Sequence, residues 1–107
     1  MDSLEIEVHQ LKTRLDAGED LQLVDVREDW EVAIARLQGA VVIPMTQLAR
    51  RFRELDAKKP TVVYCHHGIR SLQVALALRS RGFADVQSLR GGIDRWSLEI
   101  DSALPRY

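Results

Sequence analysis

Thr61-Val62-Val63-Tyr64-Cys65-His66-His67-Gly68-Ile69-Arg70-Ser71 is the stretch on which the fold turns. Its first four residues are β-branched or aromatic and carry no charge, the pattern of a strand buried on both faces in a parallel sheet. Beyond Ser71, Leu72, Val74, Ala75, Leu76, Ala77 and Leu78 leave almost no polar face before Gly82, so a helix starting near residue 71 is expected close against the sheet. Strand, loop, helix is the repeating unit of an α/β domain. In such domains ligands bind beyond the carboxyl ends of the strands, where loop amides and the positive end of the next helix converge. Cys65 stands at that point.

Outward from this unit, β-type runs recur at Glu5 to Val8, Leu21 to Val26, Ala40 to Ile43 and Val86 to Leu89, which predicts a five-stranded, mainly parallel sheet. Helical spacing lies between them. Leu11 and Leu15 share one face of a helix ending near Gly18, and a second helix starts around Thr46 and is expected to bury Leu48, Phe52 and Leu55. After the Gly91-Gly92 turn, Ile93, Trp96 and Ile100 recur on a last helix that ends before Pro105. Trp30 and Trp96 are expected in the core or partly buried.

At 107 residues, with 46% hydrophobic and 29% charged residues, the chain is expected to be one soluble domain, residues 1–107, with no membrane span. Met1-Asp2-Ser3-Leu4-Glu5 is acidic where a secretory or mitochondrial leader would be basic, so a cytoplasmic address is expected. One cysteine makes no internal disulfide, and with three scattered histidines it makes no zinc set. Residues 1–40 hold ten acidic and four basic residues, whereas 41–107 hold six and eleven. The basic half suits anionic small molecules or acidic protein surfaces, though a solvated face is the commoner explanation and nucleic acid has no further support.

A solitary cysteine at a strand end is ordinarily a small buried hydrophobe. Here the loop argues otherwise: the helix N-terminus, curled N–H donors and the Arg70 guanidinium all favour a thiolate. Gly68 supplies the positive φ that such a curl needs. Arg70 can bind an anionic substrate group or simply fix the loop, and Ser71 can cap the helix while donating to the site. His66 and His67 are candidates for substrate contact, His67 foremost, with at least one of them on the rim. Asp25 and Arg27, at the end of the second strand, are expected to form an ion pair that braces the loop.

These residues resemble the rhodanese family, whose active loop C-x-x-G-x-R-S stands complete as Cys65, Gly68, Arg70 and Ser71. The resemblance covers nearly the whole chain: Leu23-Val24-Asp25-Val26-Arg27 with Glu31, Gly39-Ala40 with Ile43-Pro44, and Leu89-Arg90-Gly91-Gly92 with Trp96 follow the family in order. Arg36 stands where many members have histidine. The resemblance implies a three-layer α/β domain with helices on both faces of the sheet. It also implies a sulfurtransferase in which Cys65 is the nucleophile and His66, His67, Gly68, Ile69, Arg70 and Ser71 form the substrate loop. The Cys65 thiolate would take a sulfur from thiosulfate or another persulfide and pass it to a thiol, cyanide or a sulfur-carrier protein, with no metal or organic cofactor. The segment from Trp96 to Tyr107 is similar to the ends of rhodanese domains fused to enzymes that activate sulfur carriers. Two alternatives stand beside this. Related phosphatases use C-x5-R, one residue longer than the C-x4-R of Cys65 to Arg70, and some rhodanese-like domains are binding modules without turnover, commonly lacking the cysteine.

Overall fold

Residues 3–107 are described by a computed structural model, and the acidic opening at Met1 and Asp2 lies outside them. The strands are β1 (Glu5–Ile6), β2 (Gln22–Asp25), β3 (Val41–Val42), β4 (Thr61–Tyr64) and β5 (Val86–Leu89). They form one sheet in the order β1-β5-β4-β2-β3, and every neighbouring pair is parallel. β4 is central and buried at all four positions. The edge strands β1 and β3 have two residues each, shorter than the expected runs, because Val8 already opens a helix and Ala40 and Ile43 leave the ladder.

The helices are α1 (Val8–Asp16), α2 (Asp29–Ile34), α3 (Leu48–Arg51, flanked by 3-10 turns at Met45–Gln47 and Phe52–Glu54), α4 (Ile69–Ser80) and α5 (Gly92–Glu99). Side chains alternate across β4, so Val62 and Tyr64 join Leu11 of α1 and Ile93 and Trp96 of α5 in one core cluster. Val63 and Cys65 join Leu48 of α3 and Val74, Ala75 and Leu78 of α4 in the other. Helices therefore cover both faces, giving the three layers of the expected α/β fold. Full burial of side chains of this size stabilises by about 1.5–3 kcal/mol each.

Several expectations shift. Leu15 is 37% exposed in the last turn of α1, and Trp30 is 63% exposed on α2. Phe52 is only partly buried, against Arg53 and Arg81. Helix α2 itself carries no apolar period, since Glu31 is its one buried residue; a reciprocal capping box between Glu28 and Glu31 holds its start. No helix among the described residues is long and apolar enough to cross a membrane.

The close approach of α5 to the end of β4 demands glycine. Gly92 has φ +62, and a Cβ there would run into the carbonyl groups of Cys65 and His66. Gly92→Ala is therefore expected to cost about 1–3 kcal/mol in urea denaturation, more than Gly39→Ala, whose added Cβ would meet nothing within 4 Å. Equal losses at the two positions would contradict the close approach.

Candidate active site

The chain leaves β4 at Tyr64 and curls through Cys65, His66, His67 and Gly68 into α4. The Cys65 and His66 carbonyls accept from the N–H groups of Ile93 (2.9 Å) and Asp94 (3.1 Å) in the first turn of α5. Gly68, at φ +104, caps α4, which begins at Ile69 rather than at Ser71. That left-handed turn aims the Gly68 N–H at Cys65 Sγ, 3.1 Å away. The Ser71 N–H donates to the same sulfur at 3.3 Å, and Ser71 Oγ lies 3.4 Å from it. Ser71 is thus the third residue of the helix and not its cap. Its hydroxyl is oriented by a 2.7 Å hydrogen bond with Ser88 Oγ, from the adjacent β5. Cys65 itself is 1% exposed.

Arg70 turns towards α2. Its two terminal nitrogens fork onto Glu31, with Nη2 donating to Oε1 at 2.7 Å and Nη1 to Oε2 at 2.8 Å. Two of the five guanidinium N–H groups are used in this way, and the side chain stays 34% exposed. Glu31 also accepts from the Glu28 N–H and the Tyr107 hydroxyl. The Arg70 hydrogen bonds foremost, against the opposing effect of burial, lower the Glu31 carboxyl from an ordinary 4.5 to about 2. The same pairing with Glu31, and more weakly the nearby Cys65, holds the Arg70 guanidinium above its usual value.

Asp25 and Arg27 form a fully buried ion pair, with Arg27 Nη2 donating to Oδ2 at 2.7 Å. Arg27 also donates to the carbonyls of Ala35 and Glu31 and to the Tyr107 hydroxyl. The pair thus ties β2 to α2 and Tyr107, and reaches the loop through Glu31 and Arg70 and, by way of Tyr107, through the His66 ring. His67 is exposed at the rim. The His66 ring lies between His67 and Tyr107, with both centroids 3.9 Å away, and burial followed by the His67 charge lowers its affinity for a proton. Ile69, 73% exposed, stands beside Arg70 at the loop. Among the described residues no group of three or more potential ligands could hold a metal ion.

Glu31, Ser88 and Tyr107 were not assigned chemical roles from the sequence. The capping box around Glu31 was a local signal. Ser88 and Tyr107 reach the site only through the tertiary fold.

A parallel α/β domain with a cysteine cradled by amides at the carboxyl edge of its sheet is a known architectural class. A profile of the rhodanese-like domain matches residues 7–99, so the chain belongs to the rhodanese-like domain family. A sulfurtransferase of Allochromatium vinosum is 37% identical over 87% of each chain. A putative sulfur carrier protein of Bacillus subtilis, YrkF, is 32% identical, covering 87% of this chain and 50% of that one. Longer relatives also match: Rhodanese-like/PpiC domain-containing protein 12 of Arabidopsis thaliana is 37% identical over 96% of this chain, which spans only 37% of its length. A rhodanese-like domain protein of Staphylococcus aureus superposes with a TM-score of 0.84 at 28% identity, covering 98% of this chain and 99% of that one.

Because the Glu31 carboxyl is depressed in the folded state, its stabilisation is fully present above about 4.5 and is lost as pH falls towards about 2. Glu31→Gln is therefore expected to be less stable than the parent at pH 6, and the gap should narrow by roughly 3 kcal/mol between pH 5 and pH 2 in urea titrations. A gap independent of pH would disprove the assignment of that charge.

Proposed function

We propose that the domain is a sulfurtransferase that carries a sulfane sulfur on Cys65. The observation that carries this reading is the convergence of the Gly68 and Ser71 N–H groups on one sulfur atom, with the Ser71 hydroxyl oxygen 3.4 Å from it. Sulfur is a weak acceptor when protonated, and such a set of donors suits an anionic sulfur far better. In the first step the Cys65 thiolate attacks the outer sulfur of thiosulfate. A new S–S bond forms, the S–S bond of thiosulfate breaks, and its electron pair leaves with sulfite. In the second step an acceptor thiolate attacks the outer sulfur of the persulfide and restores the Cys65 thiolate, so no external oxidant is consumed.

Arg70 retains N–H groups beyond those given to Glu31, which suits it to the sulfonate of the donor, and Gly68, Ser71 and the rim residues His66, His67 and Ile69 complete the substrate loop. Asp25 and Arg27 support it from β2. A sulfur-carrier protein is the acceptor favoured here, in keeping with the sulfur-transfer names of relatives of similar sequence. A reducing cytoplasm suits a protein whose single cysteine must stay free. The C-x4-R spacing is one residue short of the phosphatase loop, which supports sulfur over phosphate chemistry.

Intact mass measurement after incubation with thiosulfate is expected to find one added sulfur, removed by a reductant and absent from Cys65→Ala. No sulfur uptake from thiosulfate or a persulfide donor would leave a binding module as the better reading. Hydrolysis of phosphoesters abolished by Cys65→Ser would favour a phosphatase.

A further inference from the structure

Tyr107 joins groups that would otherwise meet only in part. Its hydroxyl accepts from Arg27 Nη1 at 3.0 Å and donates to Glu31 Oε1 at 2.9 Å. Its ring stacks on His66 with centroids 3.9 Å apart and planes 9° from parallel, and meets Trp30 edge-on at 5.9 Å. The segment that brings it there is anchored separately, by Ser97 Oγ donating to the Leu104 carbonyl and by Arg106 paired with Asp94 at 2.8 Å.

The arrangement has a directional consequence. An ionised carboxylate offers about four acceptor positions. On Glu31 two are taken by Arg70, one by the Glu28 N–H and one by Tyr107, so no rotation of the carboxylate is left free. The guanidinium is a rigid plane forked onto that carboxylate and inherits its orientation. The phenol stands between a buried cation, which it accepts from, and an anion, which it donates to; the Arg27 contact therefore polarises its O–H towards Glu31.

We propose that Tyr107 is a positioning residue of the site: through Glu31 it sets the Arg70 guanidinium beside Cys65, and through its ring it seats His66, so that the loop is ready for an anionic sulfur donor. This rests on the reading of Cys65 as the sulfur carrier. Its contribution is to substrate capture and not to the bond-making step, because Tyr107 touches neither the sulfur nor the loop amides that hold it.

Tyr107→Phe separates the two contacts, keeping the ring against His66 and Trp30 while removing the oxygen. The test compares Cys65 alkylation by anionic iodoacetate and neutral iodoacetamide, alongside KM and kcat for thiosulfate and thermal stability. In Tyr107→Phe the iodoacetate-to-iodoacetamide rate ratio should fall about 10-fold, the lower end of what losing one hydrogen bond to a charged group costs, because the effect reaches Cys65 through Glu31 and Arg70. KM should rise by a similar factor with kcat held within about two-fold. In an Arg70→Ala background the same substitution should leave the ratio unchanged, since the two residues act in series. A variant with a lower Tm but an unaltered ratio and KM would mean that Tyr107 only welds the fold, and would overturn the proposal. If the parent protein takes no sulfur from thiosulfate while the ratio still falls, sulfur transfer from that donor fails and the positioning role stands. A thiol inert to both reagents defeats both.

Discussion

The N–H groups of Ile93 and Asp94 hold the carbonyls of Cys65 and His66, and the cradle depends on that contact. A buried peptide must satisfy both its carbonyl and its N–H. Once the N–H groups of α5 donate to the carbonyls of the first half of the loop, the chain is turned so that the amides of Gly68 and Ser71 face inward, where Sγ is the acceptor. The contact needs a helix start pressed against backbone, hence a residue without a side chain at position 92. It also needs α5 to stay seated, which the burial of Ile93 and Trp96 ensures. Apolar packing on one face of the sheet thus holds the polar geometry of a sulfur that lies on the other.

The division of charge between an acidic first part and a basic second part has a structural outcome. Much of it is consumed by pairs that bridge the two: Glu31 with Arg70, Glu7 with Arg90, and Asp20 with Lys59. The last two are exposed and each is worth about 0–1 kcal/mol. The first differs because Glu31 is almost fully buried while Arg70 is partly open to solvent. Its partner keeps a fixed direction, and it retains donors for an incoming anion. The imbalance legible in the sequence is therefore partly cancelled by pairs across the fold, of which only the one at the loop has a buried member.

How much could be read beforehand followed the range of the interactions. The central strands were legible because their burial makes them continuous apolar runs, and the loop because cysteine, glycine, arginine and serine fall within seven consecutive residues. Helix α2 was not, because a six-residue helix with one buried side chain has no period to detect; only the spacing of Glu28 and Glu31 announced it. Trp30 misled because its bulk suggests burial, yet α2 lies at the rim and turns it outward, against the edge of Tyr107. Tyr107 could not be placed at all, since its partners Glu31 and Arg27 are 76 and 80 residues away and nothing local encodes them.

Burial alone cannot decide what Cys65 is for. It packs among Val24, Val26, Val63 and Val74 as a small hydrophobe would, at 1% exposure. What separates the two roles is the polar side of the atom. A packing cysteine asks for no hydrogen bonds, and two main-chain N–H groups turned onto a neutral thiol would each give up a stronger oxygen or water partner for a weak one. Such an arrangement is favourable when the sulfur bears charge, because a bond from N–H to an anion is about twice as strong as one to a neutral acceptor. The hydrocarbon on the opposite side leaves the loop N–H groups as the polar partners that face the sulfur.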